Sequence, residues 1–337
     1  GPAGLAASGY LSCKGYDVDV YDKQPLPGGL MIFAIPPWRI PRENVLSGVE
    51  ELREKFSVNF VLRTKIYSGV EEHEEGDLVV EKKLMLEEIV EKYHAVLITT
   101  GTWASKIPTI PGVDARGVYS ALDYLYKHRL FELNFISERP PRGKRVVVVG
   151  GGYSAVDAAE QALRSGAEAY VVYRRTIKEA PAGIYEIRKL EREGAIFMEL
   201  VSPVEVVVEN NAVKAIKLQK MQLGPPDETG RPKPVPIPGS EFTIEADIVV
   251  FATGEQATPP VSRRDRSVLE KLGIKLTKNG TVEVNEIMQT GNPKVFAAGD
   301  VVHGPSRIGP AIRSGLYAAR FLDNWLQAKL SKPVPAP

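Results

Sequence analysis

Three consecutive glycines stand where a chain could bind a phosphate group. Gly150, Gly151 and Gly152 follow a run of valines, Val146–Val149, and precede a segment whose apolar residues recur at helical spacing. A valine run with no polar face is typical of a strand buried in a parallel sheet. Backbone N–H groups at the start of the following helix can bind a phosphate. The pattern predicts a phosphate-binding turn in which side chains at the three glycines would block the ligand.

The elements around this turn indicate the class of ligand. The predicted helix ends at Ser165-Gly166, and a second strand follows at Ala169–Tyr173. Strand, glycine turn, helix and strand within about 30 residues form the βαβ unit that binds a dinucleotide. The spacing is G-x-G-x-x-A, whose third position only has to be small. The predicted nucleotide-binding residues here are Gly150, Gly152, Tyr153, Ser154 and Ala155.

Two arginines follow the second strand and bear on the choice of dinucleotide. An NAD site favours Asp or Glu at this position, whereas this chain has Arg174 and Arg175. Two guanidinium groups suit a 2′-phosphate through charge-assisted contacts. The alternative is a solvated turn with no ligand. At this position we favour the functional interpretation, so the sequence predicts NADPH rather than NADH.

The amino-terminal segment is similar to this unit and predicts a second nucleotide site. Gly1–Gly4 corresponds to the glycine turn, Leu5–Cys13 to the helix and Val18–Tyr21 to the second strand. Asp22 stands where Arg174 stands, and an acid there favours an unphosphorylated ribose such as that of FAD. This copy lacks an opening strand, so we expect natural residues upstream that supply it. The predicted binding residues are Gly1, Pro2, Ala3, Gly4, Asp22 and Lys23.

Composition excludes several function classes. The 337 residues contain 43 Lys plus Arg against 42 Asp plus Glu, a balance that argues against nucleic-acid and membrane-surface binding. The single cysteine, Cys13, excludes an internal disulfide and an iron–sulfur cluster ligated within the chain. No metal site is predicted. With no apolar run long enough to span a bilayer and no signal peptide, a cytoplasmic protein is the default expectation.

A proline- and glycine-rich segment carries a family resemblance. Pro25–Val45, PLPGGLMIFAIPPWRIPRENV, resembles the GG-L-x-x-x-G-I-P-x-x-R-L-P segment of the glutamate synthase small-subunit family, although Ala34 replaces a glycine. Paired glycines also permit close backbone approach to a flat ligand. The resemblance extends over nearly all of the chain. It implies a flavoprotein that uses FAD and NADPH, with cofactor contacts at Gly28, Gly29, Leu30 and Arg39.

Later motifs resemble this family or, more widely, flavoproteins that bind two dinucleotides. Val295–Asp300 resembles a strand–Gly–Asp motif whose aspartate bonds a ribityl hydroxyl, and a helix beginning nearby would stabilise negative charge on a reduced flavin. The alternative is a strand and helix that merely complete a sheet. Ala180 and Tyr153 depart from the family pattern. The further cofactor-binding residues implied are Thr100, Gly101, Thr253, Gly254, Gly299, Asp300, Gly309, Pro310 and Ala311.

These motifs predict an α/β fold with two Rossmann-like domains, for FAD and for NADPH. Because the Gly-Asp element follows the second unit, the flavin domain is expected to be discontinuous, at 1–140 and 286–337, with the NAD(P)H domain at 141–285. Segment 118–133 is predicted to be helical, 78–80 to be a strand, and 224–239 to be a polar loop.

The predicted function is hydride transfer from NADPH to FAD and electron transfer onward to a partner protein or large subunit. Such chemistry depends on positioning, so no catalytic acid, base or nucleophile is assigned. Two alternatives stay open: a stand-alone reductase of a small quinone or dye, and a non-catalytic nucleotide-binding subunit.

Overall fold

The computed structural model describes residues 1–228, 230–262, 264, 265, 267 and 271–330. The chain divides into two compact units, the first formed by Gly1–Ala104 with Glu255–Pro337 and the second by Ser105–Gly254. The boundaries between the units thus lie after Ala104 and after Gly254, whereas the sequence motifs predict domain boundaries near residues 140 and 286. Which nucleotide each unit binds stays a prediction. The proline-rich tail, expected to be disordered, lies outside the described residues.

Both units contain helices and strands. The first unit begins with α1 (Pro2–Cys13), β1 (Asp19–Tyr21), α2 (Leu30–Phe33), α3 (Arg42–Phe56), β2 (Asn59–Val61), β3 (Thr64–Tyr67), β4 (Lys82–Met85), α4 (Leu86–Lys92), β5 (Val96–Ile98) and β6 (Ala104–Ser105). The second contains β7 (Val118–Ser120), α5 (Ala121–Glu132), β8 (Arg145–Val149), α6 (Tyr153–Arg164), β9 (Glu168–Tyr173), α7 (Ile184–Arg192), β10 (Ile196–Glu199), β11 (Val201–Glu209), β12 (Ala212–Pro226), β13 (Pro232–Glu245) and β14 (Ile248–Phe251). The first unit then continues with β15 (Glu255–Gln256), β16 (Val295–Ala297), α8 (Asp300–His303) and α9 (Ile308–Leu330).

Parallel strand pairs and two long helices build the first unit. β1 pairs with β2, β3 with β4, and β5 with β16, all in parallel. β16 is buried on both faces: Val295 and Ala297 pack on one side, and Phe296 packs against α1 and α9 on the other. β16, α1 and α9 therefore share one core. Among the described residues, no helix combines the length and apolarity that crossing a membrane requires.

A five-stranded parallel sheet forms the centre of the second unit. Its strand order is β10-β9-β8-β14-β7, so the chain switches direction across the sheet between β8 and β14. Val146 and Val148 face a cluster formed with α5, α6 and α7, whereas Val147 and Val149 face the three-stranded antiparallel sheet of β11, β12 and β13. The all-valine strand thus has no polar side because both faces are covered. A parallel sheet binds ligands at the carboxyl ends of its strands, beside such a switch point.

Two local predictions are wrong. The segment 118–133 is not helical throughout, because Val118–Ser120 pairs with β14, a strand distant in sequence, and the helix begins only at Ala121. Ser120 caps that helix, its hydroxyl accepting from the backbone N–H of Asp123 at 2.9 Å. Residues 78–80 are not a strand, since they follow a 3₁₀ turn, Glu75–Asp77, and the strand that pairs with β3 is β4.

The segment 224–239 is also not simply a loop. β12 and β13 form a long hairpin that extends beyond β11, with Leu223 opposite Pro234 and Met221 opposite Pro236. Prolines suggested a loop because they cannot donate to a strand ladder. They are tolerated here because β13 is an edge strand of its sheet, where one row of N–H groups has no strand partner.

A buried polar network joins α5 to α6. The Arg129 guanidinium donates to Gln161 Oε1, which leaves Gln161 Nε2 to donate to His128 Nδ1 at 3.2 Å. This bond requires a His128 ring without a proton on Nδ1. Burial, together with the Arg129 charge, lowers the pKa of His128 from 6.5 to about 4. The network therefore requires a neutral histidine.

We expect the second unit to lose stability in mild acid because of His128. Between pH 6.5 and 4 the unfolded chain binds a proton that the folded chain excludes, so stability falls as the pH falls through this window. The two pKa values correspond to about 3 kcal/mol at most. Denaturant unfolding at pH 7 and pH 4.5 measures the loss. A His128→Gln variant should show a smaller loss, whereas the exposed His73→Gln should behave as the parent; equal losses in all three would contradict this role.

Candidate functional site

The three glycines of the central turn serve different purposes. A Cβ on Gly150, whose φ is +151°, would lie 3.0 Å from the Ala252 Cβ and closer still to that residue's carbonyl oxygen. A Cβ on Gly151 would lie 2.6 Å from the Tyr173 ring, but one on Gly152 would meet no heavy atom within 4 Å. At Gly150 and Gly151 a packing requirement therefore exists within the protein itself, and the expectation that side chains at the three glycines would block a ligand stays a prediction. The first two permit packing within the protein, and Gly152 alone of the three borders open space.

The helix after this turn has the geometry of an anion site. Gly152 is the N-cap of α6 and makes no side-chain capping bond. Tyr153 and Ser154 form the first turn, and Ala155 is fully buried against the sheet, which explains why this position must be small. The positive end of a helix dipole and its first N–H groups favour a phosphate at such a terminus. The cradle fits the pyrophosphate of a dinucleotide.

The two arginines after β9 have different environments. Arg174 is exposed. Arg175 is only 3% exposed, and its guanidinium donates to Asp227 Oδ2 at 2.6 Å and to the Pro232 carbonyl at 2.7 Å. These partners lie on the β12–β13 hairpin, which the sequence had not shown to approach this point. Of the two guanidinium groups, that of Arg174 is the one that solvent, and hence a 2′-phosphate, can reach without displacing an ion pair.

The carboxyl end of β14 adjoins this turn. Thr253 donates its hydroxyl proton to the Lys106 carbonyl, and the Gly254 carbonyl accepts from the Lys106 N–H at 2.8 Å. Gly254 has a φ of +107°, in the range that favours glycine. Both residues therefore shape the segment that leaves the sheet, and their predicted contact with NADPH stays a prediction.

In the first unit, several predicted residues converge on Ala3. A Cβ on Gly299 would lie 2.9 Å from the Ala3 Cβ, and one on Gly315 would lie 2.8 Å from the Ala3 Cα. A Cβ on Gly29 would lie 2.8 Å from the Gly1 Cα. The start of α1 thus sits among three close backbone approaches that no larger residue permits.

α1 begins at Pro2, earlier than the Leu5 that the sequence suggested. Gly1 is its N-cap, with no side-chain capping bond, and proline is well suited to a first helical position. Pro2, Ala3 and Gly4 therefore lie in the helix's first turn, where Gly4 packs against Thr99. The first unit repeats the glycine-capped helix N-terminus of the second.

Asp22 and Lys23 follow β1, as Arg174 follows β9. Asp22 Oδ1 accepts from the Gln24 N–H at 2.9 Å, and burial raises the pKa of this carboxyl group. The Lys23 ammonium is ion paired with Glu74 and with Asp77, the latter at 3.2 Å. The position of Asp22 suits a ribose contact, whereas the side chain of Lys23 is engaged within the protein.

The segment that carries the family resemblance folds as a turn and a short helix. Gly28 and Gly29 both have positive φ, at +131° and +58°, and Gly29 is the N-cap of α2, which begins at Leu30. Arg39 lies half-buried in the turn that follows. After β5, the Thr100 hydroxyl donates to the Thr258 carbonyl at 2.7 Å, and the Gly101 carbonyl accepts from the Thr258 N–H at 2.9 Å.

The Gly299-Asp300 turn is fixed by two serines that the sequence analysis missed. Asp300 accepts from the N–H of Ser306, at 3.2 Å, and from its hydroxyl. The hydroxyl of Ser314 accepts from the Gly299 N–H at 3.0 Å and lies 3.2 Å from His303 Nε2. Ser306 lies 6 residues from Asp300 and Ser314 lies 15 residues from Gly299, so neither bond follows from a local sequence pattern. These bonds orient the turn beside the start of α9, which contains Gly309, Pro310 and Ala311.

Comparison with known proteins identifies the fold's relatives. Residues 1–315 match the family model described as pyridine nucleotide-disulphide oxidoreductase. The chain belongs to this family. Membership confirms the predicted oxidoreductase class and supports the predicted use of FAD and NADPH.

Relatives within this oxidoreductase family match nearly the whole chain. The chain is 36% identical to the beta subunit of the NADP(+)-dependent formate dehydrogenase of Moorella thermoacetica, over 99% of this chain and 44% of that subunit. It is 31% identical to the small chain of the NADPH glutamate synthase of Escherichia coli K12, over 97% of this chain and 67% of that one. The predicted resemblance to glutamate synthase small subunits is confirmed. The chain spans about half the length of several relatives, as the first of these figures illustrates.

Solved structures confirm the predicted α/β fold class. FprA from Mycobacterium tuberculosis in complex with NADPH matches with a TM-score of 0.76 and 19% identity, over 100% of this chain and 86% of that one. Thioredoxin reductase from Lactococcus lactis matches with a TM-score of 0.64 and 20% identity, over 97% of each chain. At these identities the likeness concerns the fold.

Proposed function

We propose that this chain is a flavoprotein oxidoreductase unit in which NADPH transfers hydride to FAD and the reduced flavin passes electrons to a partner protein. The observation that carries the proposal is the repeated phosphate cradle. Both α1 and α6 begin at a glycine N-cap without a side-chain capping bond. α6 follows β8 of the parallel sheet, and α1 packs against β16. A chain that uses two dinucleotides requires two such termini. The cytoplasmic location stays a prediction.

Residues of the first unit would hold the flavin. The N-terminus of α1 would bind its pyrophosphate, Asp22 would accept from ribose hydroxyls, and Asp300 would accept from the ribityl chain. The close approaches of Gly29 to Gly1 and of Gly299 to Ala3 hold the start of α1 beside the other residues predicted to contact the flavin. When bound, the flavin supplies two-electron acceptance from a nicotinamide and one-electron release to an acceptor.

The chain itself would contribute positioning and electrostatics rather than proton transfer. α9 is a helix of 23 residues whose first turn holds Gly309 and Pro310, both exposed. The positive end of its dipole would stabilise negative charge beside it. No acid or base of the chain is assigned a proton-transfer step.

A partner protein is favoured over a small-molecule acceptor by the relatives. The Moorella and Escherichia coli proteins are described as a beta subunit and a small chain, which implies larger assemblies for those proteins. A stand-alone quinone or dye reductase is the second candidate, and a non-catalytic nucleotide-binding subunit the third.

Spectroscopy and turnover with an artificial acceptor test the proposal. The purified protein should show flavin absorption in the visible range, bleach when NADPH is added without oxygen, and reduce ferricyanide with NADPH. If the protein binds FAD but does not oxidise NADPH, the non-catalytic alternative is favoured. Copurification with a larger subunit favours the partner proposal, whereas rapid turnover of a simple quinone by the isolated protein would favour the stand-alone reductase.

We expect Arg174→Ala to weaken NADPH use selectively. Each charged hydrogen bond lost to the 2′-phosphate costs about 1.5–3 kcal/mol, so KM for NADPH should rise about 10- to 150-fold while KM for NADH stays nearly unchanged. Steady-state kinetics with ferricyanide give both values. If the two cofactors are affected equally, Arg174 does not recognise the 2′-phosphate and the preference for NADPH must have another origin.

A further inference from the structure

The tip of the β12–β13 hairpin is held beside the end of β9. Arg175 donates to Asp227 Oδ2 and to the Pro232 carbonyl, so its buried side chain holds both sides of the turn between the two strands. The base of the hairpin adjoins the same residue through the main chain: the Met221 N–H donates to the Leu200 carbonyl at 2.7 Å, and the Leu200 N–H donates to the Arg175 carbonyl at 3.1 Å. The hairpin is thus fixed to the strand end at two points.

This strand end is the position where a Rossmann unit meets the adenosine ribose of its dinucleotide. The pyrophosphate binds at the start of α6, and the residue that directly follows the second strand, here Arg174, lies next to the ribose 2′ position. A hairpin tip fixed to the neighbouring residue, Arg175, therefore lies beside the place where a 2′-phosphate would be bound.

The turn brings the main chain of another arginine close to Arg175. Asp227 contacts both arginine positions: its Oδ2 accepts from Arg175, and its Oδ1 accepts from the Arg231 N–H at 3.3 Å. The Asp227 N–H donates to the Arg231 carbonyl at 2.8 Å, which closes the turn. Arg231 is exposed. The Arg231 main chain and the Arg175 guanidinium thus donate to the same carboxylate, that of Asp227.

The charges around the strand end and the tip have a small positive excess. Arg174, Arg175, Lys178, Arg231 and Lys233 supply five positive charges, against four negative charges from Glu179, Glu199, Asp227 and Glu228. The buried Arg175 is ion paired with Asp227, whereas Arg174 and Arg231 are exposed.

We propose that the hairpin tip completes the 2′-phosphate site, with Arg231 as a specificity-determining residue and Arg175 and Asp227 as positioning residues. This inference rests on the proposed use of NADPH by the second unit. It assigns the hairpin a role in cofactor choice: one arginine follows the strand, a second pins the hairpin, and a third approaches the phosphate from the hairpin side. Planar guanidinium groups from two directions can share the oxygens of one phosphate.

Binding of 2′,5′-ADP and 5′-AMP to the intact chain, measured by calorimetry, tests the proposal, because the two ligands differ only in the 2′-phosphate. Arg231→Gln should weaken 2′,5′-ADP by about tenfold or more and leave 5′-AMP within about twofold. Lys220→Gln is the matched control, since it removes one exposed positive charge from β12 away from the tip, and it should leave both affinities unchanged. Arg231→Lys should restore part of the loss.

Hydrogen exchange provides a second measurement that does not depend on a variant. Binding of 2′,5′-ADP should slow exchange in the peptide 225–233, whereas 5′-AMP should not. The inference would be overturned if Arg231→Gln changed the affinity for 2′,5′-ADP no more than Lys220→Gln does, and if 2′,5′-ADP left hydrogen exchange in the peptide 225–233 unchanged. Failure of the underlying proposal is distinguishable, because the unaltered chain would then fail to prefer 2′,5′-ADP over 5′-AMP at all.

Discussion

A Gly315→Ala chain is expected to lose several kcal/mol of stability in its first unit and to retain little flavin. The added methyl would lie 2.8 Å from both the carbonyl carbon and the Cα of Ala3, and nearer still to the carbonyl oxygen. These are backbone atoms in the first turn of α1, so no side-chain rotation relieves the clash. Overpacking costs about 1–3 kcal/mol where neighbours can shift, and this contact should reach or exceed that range.

The clash should also displace the start of α1 from its place beside Gly299. Denaturant unfolding measures the loss of stability, and visible absorption of the purified protein measures flavin retention. Gly48→Ala is the matched control, because Gly48 lies inside α3 and a Cβ there would meet nothing within 4 Å. That variant should be neutral or stabilised by about 0.5–1 kcal/mol, as expected for alanine in a helix. A Gly315→Ala protein with parental stability and stoichiometric flavin would show that α1 and α9 do not need this close approach.

The sequence predicted the elements whose determinants are local. β8, the glycine turn, α6 and β9 lie within about 30 residues, and the alternation of covered faces along Val146–Val149 follows from a strand buried on both sides. The glycine turn and the helix α1 were found by similarity to this unit, although α1 begins at Pro2 rather than at Leu5. The positions of Asp22 and Arg174 after their strands were likewise available from register alone.

Features that depend on distant pairing were not predicted. Val118–Ser120 pairs with β14, a strand distant in sequence, and three residues beside a helical pattern are too few for their strand propensity to decide the assignment. The proline pattern from Pro232 to Pro236 suggested a loop, because nothing local shows that β13 is an edge strand. Arg175 was interpreted with Arg174 as one phosphate-binding pair. Its partner Asp227 is 52 residues away, and only the folded chain brings them together.

A comparison of Gly150→Ala with Gly152→Ala is expected to separate folding from nucleotide binding in the second unit. Gly152 has a φ of −93° and a ψ of −179°, which alanine adopts without strain, and a Cβ there would meet no protein atom within 4 Å. Gly152→Ala should therefore unfold like the parent. The methyl would nevertheless stand at the N-cap of α6, where a pyrophosphate must approach the backbone closely.

Loss of one or more charged hydrogen bonds there should weaken NADPH binding by about 10- to 150-fold, at about 1.5–3 kcal/mol for each bond. Gly150→Ala should instead lower the stability of the protein. Its positive φ and its approach to the Ala252 carbonyl oxygen make the folded state with alanine unfavourable. Calorimetric titration with NADP⁺ and denaturant unfolding of both variants give the two quantities independently. If Gly152→Ala binds NADP⁺ as the parent does, the pyrophosphate does not lie against this turn, and the βαβ unit binds its ligand in some other way.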